Sequence, residues 1–227
     1  MFVPLHDDTP LRVIRFQWMT GLLIVVNFLI FLYLHEATSP PYELASMLSL
    51  GIVPADFTGR APTWATGIPE PLTYVTYQFI HGSWFHLITN VLFLWVFADN
   101  IEDAFGHWSF LLFYLLCGIG AGIVHTVMMP ASDAPLIGAS GAVAGVLASY
   151  LLLFPRARVW ILLFMRLPLR VPAVYVLTGW LLLQLVSLVL VTEQEPAVGW
   201  WAHLGGFATG LVLTLVLRSR LLVGPAP

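Results

Sequence analysis

The sequence predicts an all-α polytopic membrane protein with six transmembrane helices, from its composition and from the lengths of its apolar segments. Of the 227 residues, 59% are hydrophobic and only 9% are charged, and the mean hydropathy is +0.89. Soluble domains carry roughly 25% charged residues, so this chain lacks most of the polar surface that water requires. We therefore expect a protein whose solvent is largely lipid.

Six apolar segments are long enough, or nearly so, to cross a bilayer core that needs about 20 helical residues. The fourth is short, so its start is expected to lie below the membrane surface. No separate soluble module is evident, and residues 1–227 are expected to form a single membrane domain. The segments cover residues 16–34, 72–98, 108–129, 138–154, 171–191 and 199–217.

The arginines set the expected orientation of the spans. Eight of the nine basic residues fall on one side of a six-span arrangement, and only Arg60 falls on the other. The positive-inside rule then places both termini in the cytoplasm, together with an acidic loop at 99–107. The chain shows no signal-peptide pattern, so we expect a multi-pass protein of a prokaryotic cytoplasmic membrane.

Two connections between the spans carry further features. Residues 155–170 are basic, with an apolar patch at 159–165 that is too short to span and is expected to lie along the interface. The long connection 35–71 faces outward in this orientation and contains a short amphipathic segment at 42–50. The lipid bilayer is thus the first partner that the sequence predicts.

Polar side chains inside the predicted spans are costly in lipid and therefore indicate function. They cluster on the second span (His81, His86 and Asn90), the fourth (Ser140) and the sixth (His203). These three spans all run from outside to inside, so their N-terminal ends share the outer leaflet. We expect one outer-leaflet cavity to hold these polar groups.

Ser140 and His203 have the chemistry of a nucleophile and its general base. A serine hydroxyl is a poor nucleophile until a base takes its proton, and histidine is the usual base. Ser140 opens the fourth span, where free backbone N–H groups and the helix dipole stabilise negative charge. His86 and Asn90 share one helix face and could donate to an oxyanion, an effect worth about 3 to 4 kcal/mol per donor. Spans four and six contain neither Asp nor Glu, which predicts a dyad without the carboxylate of a triad.

Two glycine pairs predict close contact between the fourth and sixth spans. Gly141 and Gly145 form a small-residue face on one, and Gly206 and Gly210 form another on the other. His203 precedes Gly206 by three residues and so lies on or near this face. Such contact is what a serine and a histidine on separate helices need in order to come within about 3 Å.

Taken together, these motifs resemble those of the rhomboid family of intramembrane serine proteases. Gly-x-Ser-Gly occupies 138–141, His-xx-Gly-xxx-Gly occupies 203–210, His-xxxx-His-xxx-Asn occupies 81–90, and Glu-xxx-Gly occupies 102–106. They occur in the family's order within residues 72–217. The matched residues are Ser140, His203, His86, Asn90, His81, Gly138, Gly141, Gly206, Gly210, Glu102 and Gly106.

The resemblance implies a six-transmembrane-helix rhomboid-like bundle that hydrolyses transmembrane protein substrates in or near their membrane segments. It implies no metal, no other cofactor and no nucleic-acid partner, and it leaves the oligomeric state open. His86, Asn90 and the Ser140 amide would form the oxyanion hole, with His81 in a supporting role. The first outward loop would lie partly in the membrane, and the fifth span would act as a lateral gate.

Two positions depart from the family pattern. Members often have an aromatic residue four after the serine, which stacks on the catalytic histidine. Here that residue is Ala144, so the orientation of His203 must depend on other packing. Some members carry Trp-Arg in the first outward loop, whereas Trp64 is followed by Ala65.

Two other functions remain open. A catalytically inactive rhomboid relative could bind or escort membrane proteins, although such relatives typically lack the serine or the histidine. A small transporter or channel would place polar groups through the full membrane depth rather than in its outer half. Metal and aspartic proteases are disfavoured, because His35-Glu36 has no second histidine at Ser39 and no aspartate pair lies within the spans.

Overall fold

The computed structural model describes residues 2–36, 38–57, 68–190 and 199–222. Within these ranges the chain forms a helical bundle with a small β-sheet at one end. Arg60 and the Trp64-Ala65 pair lie outside the described residues. The helices are α1 (Trp18–Glu36), α2 (Pro40–Leu50), α3 (Pro54–Phe57), α4 (Thr73–Thr76), α5 (Trp84–Phe105), α6 (His107–Met128), α7 (Ser140–Leu153), α8 (Ala173–Leu190) and α9 (Trp200–Leu217), with 3₁₀ turns at Glu70–Leu72, Tyr77–Phe79 and Arg218–Arg220.

Five helices of the described chain, α1, α5, α6, α8 and α9, are long and apolar enough to cross a membrane. This confirms the predicted fold class of a helical membrane bundle. The remaining predicted span corresponds to α7, an apolar helix of 14 residues, which is about 21 Å long at 1.5 Å per residue. Its length is below the roughly 30 Å of a bilayer core, so the sixth crossing stays a prediction.

The second predicted span, 72–98, is wrong at both ends. The chain makes short helical turns up to Phe79 and leaves the helix at 80–83, and α5 then begins at Trp84. Ser83 provides the N-cap, because its Oγ accepts the His86 N–H at 3.2 Å. The short segment predicted at 42–50 is confirmed as the helix α2.

The predicted acidic loop 99–107 is also wrong, because α5 continues through it to Phe105. Gly106, with a φ of +77°, ends the helix and lets the chain turn directly into α6. The carboxylate of Glu102 is fully buried and accepts the backbone N–H groups of Met19 (3.0 Å) and Thr20 (2.7 Å). Glu102 therefore caps the first turn of α1.

The basic connection after α7 forms a β-hairpin. Its strands β2 (Arg158–Leu163) and β3 (Leu167–Pro172) pair antiparallel, and β1 (Phe2–Asp7) pairs with the other edge of β2. Val159 is fully buried while Trp160 is exposed, the alternation of a strand with one face toward a core. The apolar patch at 159–165 is thus a strand and its turn, in a sheet that the sequence did not predict.

The predicted contact between the fourth and sixth spans is present. A Cβ added at Gly206 would lie 1.8 Å from the carbonyl oxygen of Gly141, and one at Gly210 would lie 2.3 Å from that of Gly145. The backbones of α7 and α9 therefore touch, as small residues allow in lipid. This contact brings the N-terminal ends of the two helices together.

Candidate active site

A cavity of about 500 Å³ lies between the N-terminal ends of α5, α7 and α9, with walls from α6 and α8. All of the predicted principal site residues line it. The lining residues are Phe85, His86, Thr89, Asn90, Phe93, His125, Ala134, Pro135, Leu136, Ile137, Ser140, Val143, Trp180, Gly199 and His203.

Ser140 and His203 form a hydrogen-bonded pair at the wall of this cavity. The Ser140 Oγ and the His203 Nε2 are 2.8 Å apart, the distance over which a proton can pass between nucleophile and base. Ser140 is the first residue of α7, and His203 lies in the first turn of α9. The glycine contact between the two helices sets this distance.

The segment before Ser140 is held in a conformation that only glycine tolerates well. Gly138 has a φ of +114°, and a Cβ at that position would lie 2.5 Å from the His86 Nε2. The Gly138 N–H donates to the carbonyl oxygen of Tyr77 at 2.9 Å. The next N–H, that of Ala139, donates to the His81 Nε2 at 3.5 Å. His81 thus contacts the turn that presents the serine, and its ring also packs edge-on against His86 with centroids 5.0 Å apart.

Several hydrogen-bond donors face the volume next to the Ser140 hydroxyl. The first N–H groups of α7, including that of Ser140, have no acceptor within their own helix. Asn90 donates from its Nδ2 to the carbonyl oxygen of His86 at 2.9 Å, and an amide NH₂ has a second N–H available. His86 adds a ring nitrogen on the same wall. The arrangement can stabilise negative charge that develops on a carbonyl oxygen beside Ser140.

Residues that the sequence did not indicate surround His203. Its Nδ1 lies 2.9 Å from the Oε1 of Gln184 on α8. The rings of Trp180 and Trp200 have centroids 6.0 Å and 5.9 Å from that of His203. Ala144, where an aromatic residue was expected from the family pattern, is fully buried and packs against Ala148 and Phe207. A signal for Gln184 was available, since it is the only amide side chain in the predicted span 171–191.

His125 on α6 also lines the cavity, although the sequence indicated only a structural residue there. Its Nδ1 is buried and has no hydrogen-bond partner among the described residues. Glu102 and Gly106, by contrast, lie at the opposite end of α5 from the cavity, and their contacts are those of the helix termini. Within the described ranges, no group of three or more His, Cys, Asp or Glu side chains is arranged to hold a metal ion.

Comparison with known proteins finds one matching family and several similar proteins. The family model of the rhomboid domain matches residues 69–220, a range that contains every residue of the cavity wall. Rhomboid-like protein 11, chloroplastic, of Arabidopsis thaliana is 39% identical over 80 residues, which are 35% of this chain and 28% of that protein. RHOMBOID-like protein 4 of Arabidopsis thaliana is 32% identical over 144 residues, 63% of this chain and 33% of that protein.

A relative from an animal gives a similar match. Presenilin-associated rhomboid-like protein A, mitochondrial, of Danio rerio is 31% identical over 147 residues, 62% of this chain and 36% of that protein. The chain thus spans about a third of the length of these curated relatives (28%, 33% and 36%).

Proposed function

This chain belongs to the rhomboid family, and we propose that it is an intramembrane serine endopeptidase that cleaves membrane proteins through Ser140 and His203. The observation that carries the proposal is the 2.8 Å contact between the Ser140 Oγ and the His203 Nε2. It lies at the wall of a cavity that also exposes hydrogen-bond donors. Neither an escort role nor a transport role requires a nucleophile paired with its base beside an oxyanion site.

Acyl transfer to Ser140 follows from this geometry. The Ser140 Oγ attacks the carbonyl carbon of the scissile peptide bond while its proton passes to the His203 Nε2. The tetrahedral intermediate collapses as the histidine gives that proton to the departing amine, which leaves an ester on Ser140. A water molecule, deprotonated by the same nitrogen, then hydrolyses the ester, releases the carboxyl product and restores the serine.

The oxyanion of both tetrahedral intermediates would lie against the start of α7. The Ser140 N–H, the free N–H of the Asn90 amide and a ring N–H of His86 are the proposed donors. Because these donors are held by α5 and α7 before the substrate arrives, little reorganisation accompanies the reaction. His81, Gly138, Gly141, Gly206 and Gly210 would act indirectly, through the turn at 138–139 and the contact between α7 and α9.

The chain is an integral membrane protein, and its proposed substrates are the transmembrane segments of other proteins. α8 exposes apolar side chains along most of its length, such as Leu182 and Val186, at 55% and 50%. These contact lipid in the proposed orientation, so a substrate in the same bilayer could approach between α8 and α5. The comparisons give no support to a prokaryotic cytoplasmic membrane, since these relatives are proteins of Arabidopsis thaliana and Danio rerio, two of them named chloroplastic or mitochondrial.

A fluorophosphonate probe, which labels only an activated serine, tests the proposal. The purified protein in detergent should label, and Ser140→Ala and His203→Ala should not. Ser149→Ala serves as the matched control, because it removes the hydroxyl of the other serine on α7, which is buried. An unlabelled but folded wild-type protein would contradict the proposal and favour the binding or escort role.

A further inference from the structure

His203 is held between two side chains that lie on different helices. Its Nε2 is 2.8 Å from the Ser140 Oγ on α7, and its Nδ1 is 2.9 Å from the Gln184 Oε1 on α8. Gln184 is 6% exposed, and it is the last buried residue of a helix whose C-terminal half otherwise faces outward. The three side chains form a continuous chain of polar contacts from α8 through α9 to α7.

We propose that Gln184 is a positioning residue that sets the tautomer and the orientation of His203; the inference rests on the proposed function. An amide oxygen can only accept a hydrogen bond, so its contact requires a proton on Nδ1. The neutral imidazole then carries its lone pair on Nε2, the atom that faces Ser140. That tautomer is the one able to take the serine proton.

The aromatic rings packed beside His203 cannot supply this contact. The titratable groups that share its cavity, His86 on α5 and His125 on α6, have no hydrogen bond to it among the described residues. An indole has one N–H donor and no acceptor, so Trp180 and Trp200 bound the ring without accepting a proton from Nδ1. Ala144 provides no aromatic face from α7. Among the described residues, the polar contacts made by the His203 ring are those to Ser140 and Gln184.

The contact therefore ties the base to α8 as well as to α7. Of the five long apolar helices, α8 has the smallest share of buried residues, 22%. If α8 moved away from α9, the hydrogen bond between Gln184 and the His203 Nδ1 would break. The contact between α7 and α9 through their glycines would remain.

Three variants measured with the fluorophosphonate probe as a function of pH test the role of Gln184. Gln184→Met keeps the length of the side chain but has no acceptor oxygen, and it should slow labelling at least about tenfold. Gln184→Glu restores an acceptor and adds charge, so it should label faster than Gln184→Met at neutral pH. Leu183→Ala, an exposed residue of the same helix, should label at the wild-type rate.

The pH profile separates positioning from a merely structural role. A carboxylate beside Nδ1 favours the protonated imidazole, so the acid limb of the Gln184→Glu profile should move to higher pH than in wild type. Wild-type labelling by Gln184→Met, or an acid limb of Gln184→Glu that stays in place, would overturn the inference while leaving the proposed function intact. A wild-type protein that does not label would instead overturn the proposed function.

Discussion

The two ends of the bundle both bury polar side chains, and the Glu102 and Asp103 carboxylates at one end are paired differently from His125 at the other. At the sheet end, defined by β1–β3 and the start of α1, the Glu102 and Asp103 carboxylates accept backbone N–H groups from the N-terminal segment. At the cavity end, defined by the residues that line the 500 Å³ cavity, His125 keeps a buried Nδ1 without a hydrogen-bond partner among the described residues.

This difference shows how a polar residue in an apolar span can be assigned a role. A buried group whose hydrogen bonds are all made inside the protein stabilises the fold. Groups that converge on an open volume with bonding capacity to spare are suited to binding and chemistry. In the sequence, both kinds of group look alike, as polar residues within apolar segments. Their hydrogen-bond partners in the structure distinguish the stabilising groups from the functional ones.

The largest effect, on both activity and stability, is expected from a side chain inserted into the glycine contact between α7 and α9. Gly206→Ala places a Cβ 1.8 Å from the backbone of Gly141, so α7 and α9 must separate and the serine–histidine contact must break. We expect loss of cleavage together with a lower unfolding temperature. Gly179→Ala is the matched control, because a Cβ there meets nothing within 4 Å. A Gly206→Ala protein with wild-type stability and activity would contradict the proposed alignment.

The next largest effect should fall on stability alone, at the sheet end. Glu102→Ala leaves the N–H groups of Met19 and Thr20 without their acceptor, at a cost of about 3 kcal/mol of unfolding free energy. Thermal unfolding in detergent measures this loss, with the exposed Asp133→Ala as the control. The labelling rate per folded molecule should remain at the wild-type value. Folded but unlabelled Glu102→Ala would show that the two ends are not separate in function.

A smaller effect, on rate alone, is expected at the cavity end. Asn90→Ala removes a donor that matters chiefly in the transition state, so kcat should fall about 100-fold with little change in KM. Steady-state cleavage kinetics measure the two constants. Asn27→Ala removes a buried amide from α1, whose Nδ2 donates to the Leu23 carbonyl at 2.7 Å, and kcat should not change. An unaltered kcat in Asn90→Ala would remove that side chain from the oxyanion site.

The smallest effect is expected from the aromatic packing around the base. Trp200→Leu removes the edge-on contact to His203, with centroids 5.9 Å apart. Such ring contacts are worth about 0.5 to 1.5 kcal/mol, so labelling should slow about threefold to tenfold. A loss as large as that of His203→Ala would mean that Trp200, rather than Gln184, orients the ring.

The spans could be predicted because apolar length is a property of the sequence itself. Five of the six predicted segments lie within two residues of a helix in the structure. The second does not, because the chain leaves the helix at the polar residues 81–83 and α5 begins only at Trp84. The sheet and the buried carboxylates depend on partners far along the chain, as between Glu102 and Met19, and no local pattern reveals them.

The site was predictable to the extent that its residues belong to spaced motifs. Ser140 and His203 are in contact, as we predicted from their positions at the helix starts and from the glycine pairs of the two helices. Gln184 belongs to no such motif, and its contact with His203 depends on how α8 packs against α9. The same is true of Trp180 and Trp200. Tryptophan is common at membrane interfaces, so the residue type alone does not indicate a role in the site.

The central claim is tested most directly by cleavage of a single-span membrane substrate by the purified protein in detergent, with wild type beside Ser140→Ala. Cleavage by wild type and none by a folded Ser140→Ala is the result that the account predicts. Equal cleavage by both proteins, or none by a wild type that is folded, would contradict the assignment of Ser140 as the nucleophile of an intramembrane protease.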